Sequence, residues 1–229
     1  MFSNESLKKV SLLIKAKIDF YETKKEEEIR ICISVGNRKI GRVLNVSLPP
    51  VFTCANCKEC KKYCYDIKAC LQYPETVIDA RVRNYILAMK YPEKYFSEIR
   101  EKLARRKKNK FFRWHVAGDI PNMDYFKNMI ALARDFPDFI FWTYTKNYSL
   151  VNEYCDKYGK KSIPANLSIM FSEWKGMEMI NPHKFPEFRC RMPGEQIPKN
   201  FSKCPGNCEI CTETKSGCPY GKNKYVDLH

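Results

Sequence analysis

Apolar residues recur along this chain in several distinct rhythms, and each rhythm predicts an element. Over residues 7–20, Leu7, Val10, Leu13, Ile14 and Ile18 form a mixed pattern that fits either a helix or an irregular strand. Two β-branched runs follow, residues 29–35 and 39–48, separated by Gly36 and Asn37 and closed by Pro49 and Pro50. That composition around a Gly-Asn pair predicts a hairpin. A cysteine-rich loop spans 54–70. From 74 to 90 the spacing of Val77, Ile78, Val82, Ile86 and Leu87 is helical, and Pro92 opens a second helix that runs to the basic stretch Arg105, Arg106, Lys107 and Lys108.

The rhythm then alternates. Residues 111–118 predict a strand, followed by Asp119, Pro121 and a helix carrying Tyr125, Phe126, Met129, Ile130 and Leu132. The unit repeats as a strand over 139–145 and a helix over 148–158, with a third apolar run at 167–171. Strands alternating with helices at this spacing predict parallel βαβ units and an α/β fold. Such units bind ligands at the carboxyl ends of their strands, where Asp119, Lys146 and Glu173 fall. Beyond Trp174 the chain is rich in Pro, Gly and Cys, which predicts loops held by a metal rather than by a core. The expected organisation is therefore an N-terminal segment and β-hairpin (1–50), a cysteine loop with a βα core (51–185), and a cysteine-rich extension (186–229).

A chain of 229 residues, 44% apolar, predicts one globular core with appendages. The first residues lack the pattern of a secretory signal, and no run approaches the roughly 18 apolar residues of a membrane helix, so a cytoplasmic protein without a membrane partner is expected. In a reducing compartment its 12 cysteines point to metal rather than to disulfides. The net charge of +15 would attract polyanions, nucleic acid first among them; a merely lysine-rich, solvated surface explains the same number.

Two cysteine constellations carry the chemistry. Cys54, Cys57, Cys60 and Cys64 follow the spacing x2, x2, x3 of ferredoxin-type iron–sulfur ligands, with Tyr65 where those runs carry proline. In such runs the fourth cysteine serves another cluster, so the partner of Cys64 stays open. Cys204, Cys208, Cys211 and Cys218 lie among Pro205, Gly206, Gly217 and Pro219, loop chemistry that lets backbone wrap a metal; a second 4Fe-4S cluster competes there with zinc. Cys32, Cys155 and Cys190 read as isolated apolar thiols. His115 beside Trp114 fits a packed core position or a cluster-proximal donor. The basic stretch with Lys110, Trp114 and Trp142 fits phosphate binding with aromatic stacking, or a solvated helix end.

The segments from Cys60 to Tyr65, Arg81 to Asn84, Arg113 to Asp119 and Phe141 to Lys146 resemble the phage-encoded gene-product-eighty-eight family. Its layout is similar to that of radical S-adenosylmethionine proteins. That resemblance implies a partial (β/α) barrel with a cluster loop after the first strand, one iron open to S-adenosylmethionine, and a glycine-rich segment to which Ala117-Gly118-Asp119 corresponds in reduced form. The radical pattern needs a third cysteine where Ile67 stands, so the third ligand would come from Cys54, Cys57 or Cys70. The expected function is a radical-type iron–sulfur protein acting on or near nucleic acid, in the host cytoplasm if phage-encoded. The alternative is a non-catalytic iron–sulfur or zinc protein that binds DNA or RNA.

Overall fold

The computed structural model describes residues 1–228. Helix α1 (Asn4–Glu22) resolves the mixed N-terminal pattern. Val10, Ile14 and Ile18 stand four residues apart and form one buried stripe, and the Ser3 hydroxyl caps the first turn by accepting from the Ser6 amide. Five further helices lead into and between the strands: α2 (Tyr65–Gln72), α3 (Asp79–Lys90), α4 (Pro92–Ala104), α5 (Met123–Asp135) and α6 (Tyr148–Tyr158). Asn122 caps α5 through its side chain, and Gly159, at a positive φ that glycine takes without strain, ends α6.

The strands are β1 (Leu44–Asn45), β2 (Phe111–Arg113), β3 (Ile140–Thr145), β4 (Leu167–Glu173), β5 (Glu187–Arg191), β6 (Ser202–Lys203) and β7 (Lys224–Asp227). They form one sheet in the order β1-β2-β3-β4-β5-β7-β6, and every neighbouring pair is parallel. The sheet is open, with β1 and β6 as its edges. The expected α/β class with parallel βα units is therefore present, as an open sheet.

Alternation along each strand divides the core in two. Leu44, Phe112, Phe141, Leu167, Ile169 and Phe171 face one way and pack with residues of α1 to α6 in a single large cluster. Facing the other way, Trp142 and Met170 pack with Val43 and Cys218, flanked by Phe111, Tyr144, Phe188 and Cys208. The six helices thus cover one face. The cysteine-rich C-terminal segment, with its short helix α7 (Cys208–Glu213), covers part of the other.

Three expectations change. The hairpin forms only as a turn, closed by bridges from Ser34 to Asn45 and from Asn37 to Gly41. Its first arm is held by a side chain instead of a strand: buried Asn84 accepts from the Cys32 amide at 2.7 Å and donates to the Cys32 and Ser47 carbonyls at 3.0 and 3.1 Å. Its second arm turns away into the parallel sheet as β1. The cysteine loop ends earlier than expected, because α2 starts at Tyr65 and buries Ile67 and Cys70. The C-terminal segment is more than loops. Strands β5, β7 and β6 extend the sheet; β5 and β7 are hidden in sequence because they mix apolar with charged residues, and β6 because it is two exposed polar residues.

Candidate metal centres

After β1 the chain runs along the sheet and loops back over the carboxyl ends of the strands, carrying the first cysteines. The Cys57 thiol neighbours both Cys54 and Cys60, so three thiols lie close together in this loop. Those neighbours push the Cys57 thiol up, whereas Cys57, helped by the nearby Lys146 charge, pulls the Cys60 thiol down to about 6. One thiolate is thus stabilised within the trio at neutral pH, the state that binds metal. The loop is pinned to the strand ends: the Asn56 side chain donates to the Lys146 carbonyl, and Thr53 Oγ1 accepts from the Asp119 amide at 3.2 Å.

Cys64 is half-buried, within electrostatic reach of Cys54. It precedes α2 and packs against the helix-side core, where burial pushes its thiol up to about 11 and the Asp66 charge adds to the shift. Cys70, one turn into α2, is fully buried 3.9 Å from Asp66 Oδ2, and burial raises its thiol to about 12. Asp66 is itself ion-paired to Arg81, while burial lifts its carboxyl to about 6.

The residues expected at the strand ends are brought together only in part. Asp119 is buried and its oxygens are committed: Oδ1 accepts from the Ile120 amide and Oδ2 from the Lys146 amide, each at 2.7 Å. The strand expected over 111–118 ends at Arg113, and the segment after it carries Gly118 at φ +84°, where a Cβ would lie 2.7 Å from Thr53 Oγ1 and 2.8 Å from the Leu48 carbonyl oxygen, so glycine lets this segment touch the cysteine loop. Lys146 reaches along the ends to Ser172 Oγ, 3.0 Å away. Glu173 belongs to a separate group, paired with Arg189 at 2.6 Å, and Arg189 also binds Glu187 at 2.8 Å.

The aromatic side chains Trp114, His115 and Trp142 are core residues. Trp114 and Trp142 are 0% exposed, so neither can stack on a nucleobase. His115 is a core residue bonded to Tyr125 at 3.0 Å and near Thr143 at 3.4 Å; burial depresses its pKa to about 3, which keeps the ring neutral. The basic stretch remains at the surface, where Arg105, Lys107 and Lys108 are exposed near the equally exposed Arg38, Lys39 and Arg42 of the preceding turn.

The second constellation lies against the helix-free face of the sheet. Cys218 is within electrostatic reach of Cys204, Cys208 and Cys211, lies beside Tyr144, and is raised to about 12 by burial. Arg113 of β2 donates to Cys208 Sγ at 3.4 Å and lies over the Tyr144 ring at 4.7 Å. Lys224, buried at the start of β7, faces Cys211. Sequence alone did not single out Arg113, Tyr144 or Lys224 for this site; the available signal was strand alternation, which puts Arg113 and Tyr144 on the same face as Trp142. Among the described residues, no three His, Cys, Asp or Glu side chains stand in a preformed metal-holding geometry.

Fold and site together define an open, parallel α/β protein with thiols clustered at its strand ends and on its bare face. The family model described as Gene product 88 matches residues 15–189, and the chain belongs to that family of phage proteins. The match includes the first cysteine loop and ends before the second. No curated protein and no solved structure matches the chain. Among the described residues, no helix is long and apolar enough to cross a membrane.

Proposed function

We propose that the chain is an iron–sulfur protein whose 4Fe-4S cluster is bound by Cys54, Cys57 and Cys60, with one iron left for an exogenous ligand of the S-adenosylmethionine type. The observation that supports this reading is the closeness of those three thiols at the carboxyl ends of a parallel sheet, while Cys64 lies half-buried against the helix-side core. Three closely spaced thiolates suit a cubane better than a four-coordinate zinc ion, which would need a fourth protein donor or water. Sequential strand order from β1 to β5 with the helices on one face is also the way a (β/α) barrel is wound, which favours the radical-type resemblance over an isolated ferredoxin module.

When bound, an open-iron cluster supplies one-electron chemistry to a ligand on that iron. The chain's own residues would prepare the place. Asp119 fixes the backbone at Lys146, Gly118 allows close contact between the segment after β2 and the loop, and the Lys146 ammonium offers a positive charge beside Cys60. A polyanionic partner such as DNA or RNA is supported by the exposed cations from Arg38 to Arg42 and from Arg105 to Lys108.

The test is electron paramagnetic resonance of the reduced, anaerobic protein with and without S-adenosylmethionine. An open-iron cluster changes its signal on addition, and the change survives Cys64→Ala but not Cys57→Ala. A signal indifferent to S-adenosylmethionine means a closed cluster and a non-catalytic iron–sulfur protein. Nucleic-acid binding, if present, weakens steeply with salt because each neutralised phosphate releases counterions.

A further inference from the structure

The helix-free face of the sheet presents an electrostatic imbalance. Arg113 enters it from β2, and its Nε is closed off from solvent without a hydrogen-bond partner. Its other contacts are the Cys208 sulfur at 3.4 Å and the face of Tyr144 at 4.7 Å. Lys224, 8% exposed, points its chain at Cys211. Neighbouring carboxylates are engaged elsewhere: Glu209 with Arg42 at 3.6 Å, Glu187 with Arg189 at 2.8 Å, and Asp227 with Arg191 at 2.6 Å and Lys203 at 2.7 Å. Among the described residues neither Arg113 nor Lys224 has a carboxylate partner. A desolvated guanidinium nitrogen without counter-charge is costly, and Lys224 adds a second cation on a largely buried side chain, so the fold holds two positive charges beside thiols whose neutral form does not offset them.

We propose that Cys204, Cys208, Cys211 and Cys218 form a closed four-thiolate metal centre of net charge two minus, with Arg113 and Lys224 as its built-in counter-charges. The charge count is the same for two occupants. A divalent zinc ion with four thiolates carries two minus, and so does a 4Fe-4S cluster in its oxidised form with four thiolates. On binding, each of the four thiols gives up its proton to solvent as its metal–sulfur bond forms. The surroundings fit a closed site. Gly217 sits at φ +70°, where a Cβ would lie 2.7 Å from Cys211 Sγ and 2.9 Å from Lys224 Cε, so only glycine lets the loop close over both. Ser168 Oγ donates to the Cys218 carbonyl at 2.7 Å, fastening the last ligand to β4, and Tyr144 of β3 packs beside it. These are second-layer contacts of the kind that orient metal ligands. With no donor missing, such a centre has no open position, and its place is to hold β5, β6 and β7 onto the sheet or to pass electrons. The inference stands apart from the cluster at Cys54, Cys57 and Cys60 and does not need it.

Cobalt(II) titration of the full-length, metal-stripped, reduced chain tests it, because four-thiolate tetrahedral cobalt has a charge-transfer and ligand-field spectrum distinct from three-thiolate cobalt. The four-thiolate spectrum is expected in the wild type and in Cys57→Ser, and is expected to weaken and shift in Cys208→Ser and Cys218→Ser. Arg113→Gln and Lys224→Gln should each reduce cobalt affinity by about tenfold, the scale of one lost neighbouring charge in a partly buried site, with Arg113→Lys recovering most of the loss. Far-UV circular dichroism establishes which variants fold, and either glutamine variant suffices for the charge test. Zinc, iron and sulfide analysis of Cys57→Ser as isolated then tells the two occupants apart. No four-thiolate spectrum in wild type or Cys57→Ser overturns the closed site. Unchanged affinity in the folded glutamine variants overturns the counter-charge role.

Discussion

The carboxylate of Asp119, in the segment that follows β2, accepts the backbone N–H of Lys146, just after β3, at 2.7 Å. This single bond closes the gap between two adjacent strand ends directly beneath the cysteine loop. Because the Lys146 carbonyl in turn accepts from Asn56, and the Asp119 amide donates to Thr53, loop and strand ends form one hydrogen-bonded unit. The residue that reads from sequence as a ligand contact is here a fastener of the site.

Replacing Asp119 with Ala should therefore destabilise the fold as well as the centre. Two buried amides, those of Ile120 and Lys146, lose their acceptor, at a cost of about 2–4 kcal/mol by the usual penalty for unsatisfied buried donors. Urea unfolding of the apo-protein measures it. A change below about 0.5 kcal/mol, the range of ordinary surface substitutions, would show that the amides find other partners.

Gly118→Ala should disturb the same junction by a different route. Its φ of +84° disfavours any side chain, and the new methyl would press on Thr53 and on the Leu48 backbone. A loss of about 1–3 kcal/mol is expected, as for other strained positive-φ sites. Metal content per chain should fall with it, since Thr53 adjoins Cys54. Retention of wild-type stability by the alanine variant would contradict the close approach.

Asn84 should matter to the N-terminal arm. Its side chain makes three bonds that a strand partner would otherwise supply, two to Cys32 and one to Ser47. Asn84→Ala is expected to cost about 2–4 kcal/mol by unfolding, and hydrogen exchange should report a deprotected Cys32 amide. A Cys32 amide that stays protected in the variant would place the arm's support elsewhere.

His115 gives a signed pH dependence. Burial first, and the Arg113 charge second, lower its pKa from the ordinary value of 6.5 to about 3. The unfolded chain thus takes up a proton that the folded one refuses, so the contribution is complete above pH 6.5 and is lost as pH falls from there towards 3. The slope from this group approaches about 1.4 kcal/mol per pH unit below pH 6. Unfolding midpoints at pH 7.5 and 5.5 should draw together in His115→Gln relative to wild type. Equal pH slopes for the two proteins would mean that the ring is not held neutral.

Much of the core was legible because its signals are local. Helix α6 was bounded at Tyr148 and Tyr158 by periodicity alone, and β3 and β4 stood out as apolar runs between turn signals. What escaped depends on tertiary partners. Strand β5 alternates Phe188 and Cys190 with Glu187, Arg189 and Arg191, whose charges are satisfied by Glu173 and Asp227 only in the fold. The hairpin reading failed because Asn84, far along the chain, took the role of a strand. The cysteine spacings predict two metal sites, but they carry no sign that Cys64 would lie half-buried against the helix-side core, nor that Arg113 would face Cys208 across 95 residues of sequence.

Iron and acid-labile sulfide, measured together with the visible spectrum on anaerobically prepared wild type and Cys57→Ser, test the central claim most directly. Iron and sulfide in comparable amounts are expected in the wild type, with a brown chromophore that Cys57→Ser loses in whole or in the part owed to the first centre. Zinc without sulfide, or a chromophore identical in both proteins, would contradict a cluster at Cys54, Cys57 and Cys60.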